Sequence, residues 1–245
     1  MKNFISLSSK DSIGLDKPIF KNGLQLIKDA KLLAIQHQSY SSATSLSILG
    51  LEEIVKATLV LLHSNNVKVY KLKGAKRFFT DHKIRHEVVQ LIETGLGLYE
   101  AYEKWEYYKV NKRFKTKSKW FNLVFNEIHK GWKTLTPILN TYERVNQIED
   151  FDNLKNKGFY VDYKDDVLIP NKEINKSIYN SVLTSIERVI KFYKIVRIFH
   201  HPSIKKHISE EELLEFNSSM KSFIEDTMSK YEFKKYPKLI LDKEQ

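Results

Sequence analysis

The chain has 245 residues, with 41 Lys and Arg against 30 Asp and Glu, a net charge of +11. Cysteine is absent, which excludes disulfides, thiolate metal sites and a cysteine nucleophile. The longest apolar run, 57–62, is far short of the roughly 20 residues a spanning helix needs. The polar, Ser-rich start, 1–14, has no signal-peptide core, so the expectation is a cytoplasmic protein with no membrane segment. Hydrophobic residues at 42% and charged residues at 29% suit a folded globule rather than a disordered chain. An excess of positive charge favours a polyanionic partner such as RNA, although a lysine-rich surface serves solubility equally well.

In chain order, residues 1–20 read as an N-terminal extension to a single domain over 21–245, with a core of 21–170 and C-terminal helices over 171–245. Residues 21–38 place Leu24, Ile27, Ala30, Leu33 and Ala34 on one helical stripe. Residues 41–63 are apolar around most of the helical circumference, which predicts a helix in the middle of a bundle. A basic connector, 65–79, leads to a helix capped by Thr80 or Asp81 and reaching about Tyr108. Its inward set is Ile84, Val88, Leu91, Ile92, Tyr99, Tyr102 and Trp105. Gly95 and Gly97 allow a close helix contact or a bend in its middle.

After a basic loop, 111–119, the next helix spans about 118–147. Trp120, Leu123, Val124, Ile128, Leu135, Ile138 and Leu139 form its apolar set, and Pro137 is expected to kink or split it. Residues 158–163 alternate and, with Val167-Leu168-Ile169, predict an extended turn or hairpin within 158–169. A helix from Asn171 to about His200 stops before Pro202. The last helix opens on the capping box Ser209-Glu210-Glu211-Glu212 and continues through Phe216, Met220, Phe223, Ile224 and Met228. The fold class is all-α, an antiparallel bundle of about six helices with one short extended or hairpin segment near 158–169.

Two clusters could carry chemistry. The first is Glu52-Glu53 with Lys56 in the second helix. Glu52 and Lys56 suit an i,i+4 ion pair on an exposed sliver of that helix. Alternatively, one carboxylate orients an imidazole. The second cluster runs from Lys76 to His86. Arg77 and His82 are separated by four residues, and Asp81 and His86 lie beside them. Imidazole transfers protons near neutral pH, and guanidinium steadies a phosphate through paired hydrogen bonds. Such a pair cleaves RNA without metal. Six Arg and eight His predict about 0.6 such spacings by chance, so the pattern by itself is weak. Its setting is richer: Lys73, Lys76, Lys83 and Arg85 flank it, and Lys112, Arg113 and Lys115 supply a second basic patch for RNA. The competing reading is a solvated basic loop before an N-capped helix. No helical spacing argues for a metal site, and no cofactor is expected.

The segments Asp29-Ala30-Lys31-Leu32-Leu33, Tyr40-Ser41-Ser42-Ala43 and Leu46-Ser47-Ile48-Leu49-Gly50-Leu51-Glu52-Glu53-Ile54-Val55-Lys56-Ala57 resemble the AbiV family of abortive infection proteins. Phe79-Thr80-Asp81-His82-Lys83 and Gly158-Phe159-Tyr160-Val161-Asp162 follow in the family's order. The resemblance implies a HEPN-like helical fold, a homodimer, and defence against phage that answers to a phage-encoded protein. It also implies metal-independent endoribonuclease activity. The motif falls on Arg77 and His82, with Glu53 or Asp81 orienting His82 and with Glu52, Lys56 and His86 in support. The alternative is a non-catalytic protein that blocks translation or engages a phage protein by binding alone.

Overall fold

A computed structural model describes residues 3–113, 115–222, 224 and 228, the side chain of 121 aside. In order the helices are α1 (Asp16–His37), α2 (Tyr40–Ser64), α3 (Ala75–Thr80), α4 (His82–Val110), α5 (Lys119–Glu149) and α6 (Phe151–Phe159). Strands β1 (Asp162–Lys164) and β2 (Asp166–Leu168) precede α7 (Pro170–Glu173), α8 (Lys176–Phe199) and α9 (Glu210–Ser222). The all-α class stands, but the described residues form nine α-helices, not about six. The additional ones, α3, α6 and α7, are each under three turns. Elements that short leave too few periodic positions to register in a hydrophobic pattern.

The nearly all-round apolar α2 is the central element, packed by α1, α8, α6, α4 and α7. Ile48, Leu51, Ile54, Val55 and Ala57 have no exposure at all. The α1–α2 turn closes where Gln38 takes a left-handed φ of +51° and the helix end bonds back to the Leu33 carbonyl. At the start of α1, Asp16 is buried and accepts 2.7 Å from the Tyr193 hydroxyl of α8. Phe20 stacks on the same ring at 4.0 Å. Residues ahead of α1 also touch the body, with Phe4 stacked 5.0 Å from Phe79.

Several boundaries differ from expectation. The connector over 65–79 contains a 3-10 turn, Val69–Lys71, and α3, so Arg77 sits on a helix. Asp81 rather than Thr80 caps α4, accepting 3.0 Å from the Lys83 amide. Pro137 lies inside α5 without dividing it. The hairpin exists, turning at Asp165 with φ +44°, but Gly158 and Phe159 belong to α6. The helix expected from Asn171 is interrupted: α7 ends at Glu173, Ile174 plunges into the core, and Asn175 caps α8. The Ser209–Glu212 capping box forms, with Glu212 accepting 2.9 Å from the Ser209 amide. Phe223 lies outside the described residues, whereas Ile224 and Met228 are buried in the core. Among the described residues no helix is long and apolar enough to cross a membrane.

The largest departure is in α4 and α5, which run together as a two-helix arm. Tyr99, Tyr102, Trp105, Trp120, Leu123, Ile128, Leu135, Ile138 and Leu139, all expected inward, are exposed. Two helices bury only one stripe of each, and here that stripe on α5 is Asn126, Lys130, Pro137, Thr141 and Ile148. Gly97 makes the approach possible, since a Cβ there would stand 1.9 Å from Thr141 Oγ1. At the arm's base the fully buried Glu93 accepts from Arg144 of α5 and, at 2.8 Å, from Arg188 of α8. The second end of the Arg188 fork donates 2.6 Å to Glu100.

Gly158 is the tightest contact between α6 and α2. A Cβ there would fall 2.5 Å from the Ser41 carbonyl oxygen and 2.0 Å from Ser45 Oγ. Backbone cannot rotate out of the way as a side chain can, so Gly158→Ala is expected to destabilise by about 1–3 kcal/mol, the usual cost of overpacking. Urea unfolding followed by circular dichroism measures it, and an unchanged midpoint would refute the contact.

Candidate active site

The site grows from one carboxylate. Glu52 faces inward from the middle of α2 with 2% exposure. A buried charge needs partners, and Glu52 has four. Its Oε2 accepts from Arg85 Nη2 at 2.7 Å and from the Nδ1 of His82 in a very short contact. Its Oε1 accepts from His86 Nε2 and from Lys155 Nζ, each at 3.2 Å. His82, Arg85 and His86 recur at three, four and one residues along the first turns of α4, so one helix face carries all of them. Lys155 comes from α6 and also reaches Asp152 Oδ1 at 3.3 Å, while Lys83 approaches the other oxygen of Asp152 at 3.7 Å. Burial pushes the Glu52 carboxyl up, but the hydrogen bonds from His86 and Arg85, with their charges, outweigh it and hold the group well below its ordinary value.

Only one member of the cluster reaches water. Arg85 and His86 are buried, and His86 meets the Phe151 ring edge-on at 5.9 Å. The His82 side chain is 52% exposed. The cluster engages the ring through Nδ1, and Nε2 takes no part in those contacts. Arg85 Nη2 lies 2.8 Å from the same Nδ1, which packs a guanidinium and an imidazole around one oxygen. A polar cavity of about 200 Å³ opens beside them, lined by Lys83, His86, Glu87, Gln90, Glu149, Asp152 and Asn153.

The remaining expected residues are placed as follows. Arg77, on α3, pairs with Asp81 at 3.0 Å, and Asp81 in turn caps α4. Arg77 therefore stands on the short helix before the one that carries His82, while the guanidinium touching His82 belongs to Arg85. The carboxylate holding His82 is Glu52. Glu53 instead pairs with Lys56, so the Glu52–Lys56 pair expected from spacing does not form. Arg85, expected at the RNA surface, is 4% exposed and committed to Glu52. Lys73 and Lys76 are exposed, and Lys83 is partly so. Lys112, Arg113 and Lys115 lie at the far tip of the arm, roughly 40 Å along α4 from His82 by helical rise. Arg113 Nη1 is 3.3 Å from His129 Nε2 there, beside an open cavity of about 360 Å³ lined by Tyr107, Tyr108 and Lys133 among others. Sequence reasoning missed Lys155 and Asp152. Their i,i+3 spacing marks a helical pair, but nothing local points it towards Glu52. Among the described residues no group of three or more His, Asp or Glu could hold a metal.

The profile of the AbiV family of HEPN proteins matches residues 12–191, which spans the bundle from α1 into α8 and contains every residue of the cluster. The chain belongs to the AbiV family of HEPN abortive-infection proteins. Neither the comparison with curated proteins nor that with solved structures gave a match. In this AbiV chain the matched span ends before the last two turns of α8 and excludes α9.

Glu52 is the member whose loss should cost most. Removing the charge from a buried network leaves Arg85 uncompensated, so Glu52→Gln is expected to destabilise by about 3–5 kcal/mol. The pH dependence follows from the sign of the shift. A carboxyl held below its ordinary 4.5 stabilises the folded state above that pH and loses this contribution as pH falls towards the depressed value. Unfolding midpoints measured from pH 7 down to pH 3 should fall more steeply for the wild-type chain than for Glu52→Gln. Parallel curves would contradict the assignment.

Proposed function

We propose that this chain is a metal-independent HEPN-type endoribonuclease that acts in abortive infection by cutting RNA and arresting translation. The observation that carries the proposal is the half-exposed His82, whose Nδ1 is held by the buried Glu52 and whose Nε2 takes no part in that contact. In the reaction Nε2 takes the proton of a ribose 2′-hydroxyl. The 2′-oxygen attacks the adjacent phosphorus, the bond to the 5′-oxygen breaks, that oxygen takes a proton from water, and the imidazolium returns its own proton to the hydroxide so formed. The products are a 2′,3′-cyclic phosphate and a 5′-hydroxyl. Glu52 steadies the imidazolium as it forms, the role of a buried carboxylate behind a catalytic imidazole. Arg77, partly exposed beside the start of α4, steadies charge on the phosphate. Lys73, Lys76 and Lys83 draw the backbone in, and Lys112, Arg113 and Lys115 engage a longer strand at the arm's tip. A phage-encoded protein is the expected activator, and a homodimer the expected assembly.

One observation favours the second reading, binding without catalysis. The guanidinium in contact with His82 is spent on Glu52, and a buried ion cluster of this kind can be purely structural. The experiment is cleavage of total RNA by the purified protein in EDTA, with and without extract of phage-infected cells. His82→Ala is expected to reduce cleavage at least 100-fold, the usual scale of a lost general base, with thermal stability little changed because the ring is half-exposed. Arg77→Ala should lower the rate while leaving RNA bound. Intact RNA alongside arrested translation, or full cleavage by a folded His82→Ala protein, would give the case to binding.

A further inference from the structure

From Arg188 to Ser209 the chain carries no Asp or Glu, but six Lys and Arg and three His. The later part of this stretch folds around a cavity of about 390 Å³ at the end of α8. Phe20 of α1 and Tyr193 of α8, stacked at 4.0 Å, form its floor. Ile198 and Ile204 add an apolar wall, and Lys194, Arg197, His201 and His207 line the rest with Ser203. The turn after α8 is tied down, with Ser203 Oγ 2.7 Å from His201 Nδ1. Just before it, Phe199 stacks on Phe216 of α9 at 3.9 Å. No carboxylate lines the cavity. Asp16, behind the floor, is buried and accepts from the Tyr193 hydroxyl. Among the described residues no acidic side chain pairs with Lys194, Arg197 or His207. The dipole of a helix favours cations at its C-terminus. That does not account for a concavity with an apolar floor, nor for His201 and His207, which lie beyond the helix. Unmatched cations around a concavity leave a positive potential that an anion relieves.

We infer that this cavity, lined by Lys194 and Arg197 above the Phe20–Tyr193 floor, binds a nucleoside monophosphate. Lys194 and Arg197 carry permanent charges, which together match a phosphate monoester that is nearly a dianion near neutral pH. Phosphate alone would leave the apolar wall in water, and a purely apolar ligand would leave the cations unmatched. Small-molecule sites combine the two, apolar lining with a few placed polar groups, at volumes of roughly 300–1,000 Å³. A nucleoside supplies a flat base for Ile198 and Ile204, and ribose hydroxyls for Ser203 and His201. Every lining residue except Phe20 lies beyond residue 191, where the match to the AbiV profile ends. The site therefore lies almost wholly outside the part of the chain that the family shares. It has no residue in common with the Glu52–His82 cluster, and it stands whether or not the chain cuts RNA. The same chemical group occurs free and at the 5′ end of a strand, and competition separates these two sources.

The test is calorimetric titration of the full chain with AMP and with UMP, in about 0.15 M salt to screen loose surface attraction. At least one nucleotide is expected to bind saturably, one molecule per chain. Inorganic phosphate and the matching nucleoside should each bind at least about tenfold more weakly, because each satisfies only half of the lining. Lys194→Glu and Arg197→Ala are each expected to weaken the nucleotide at least about tenfold. Lys194 is exposed, so its variant should keep the wild-type unfolding midpoint and decides the matter even where Arg197→Ala loses stability. Lys112→Ala, at the arm's tip, is the control and should bind as the wild type does. A 5′-phosphorylated 2′-O-methyl oligonucleotide that displaces the nucleotide would identify a strand end as the ligand, and one that does not would identify the free nucleotide. Binding of neither nucleotide, equal binding of inorganic phosphate, or full affinity in a folded Lys194→Glu protein would overturn the proposal.

Discussion

A carboxylate held almost out of water in the middle of the central helix is the constraint around which this molecule is organised. A lone charge there would be untenable, and its partners come from two other helices. Arg85 and His86 come from the first turns of α4, and Lys155 from α6. Each must be held within hydrogen-bond reach, which fixes where α4 begins and how closely α6 lies on α2. The Asp81 cap starts α4 at the required residue, and the bare Gly158 lets α6 settle against Ser41 and Ser45. Ion networks of this kind contribute little net stability compared with an apolar core. Their effect is to penalise any packing that leaves the charge unmatched.

The same carboxylate holds the half-exposed His82, whose Nδ1 shares Oε2 with Arg85. The ring's orientation is thereby tied to the core rather than to a loop. The buried guanidinium of Arg85 serves the carboxylate, whereas Arg77 is partly exposed and pairs with Asp81, the cap of α4. A second buried carboxylate, Glu93, plays the analogous part at the base of the arm, joining α4, α5 and α8 through Arg144 and Arg188. Two charged nodes on one helix thus anchor the first turns of α4 to α2 and α6 and its middle to α5 and α8.

Much of the fold was legible in the chain itself. The nearly uniform apolar character of α2 specifies a central helix whatever surrounds it. The Asp81 cap, the Ser209–Glu212 box and the hairpin at Asp165 are local, because each depends on residues within a few positions of one another. The segments missed, α3, α6 and α7, are shorter than the window over which a helical period can be recognised. His82 stood out because imidazole between a cap and a basic run is distinctive. Lys155 did not, because it acts at a site 103 residues earlier in the chain.

By itself, then, the sequence determined the long helices, the Asp81 and Ser209–Glu212 caps, and that an imidazole and carboxylates lie in a basic setting. Only the tertiary structure decided between Glu52 and Glu53, neighbours of identical chemistry that point about 100° apart on one helix. It sent the first to the interior network and the second to Lys56. It also decided which side of α5 is covered. Periodicity identifies an apolar face but not the body it packs against, and here α4 takes the polar side and leaves the apolar one bare.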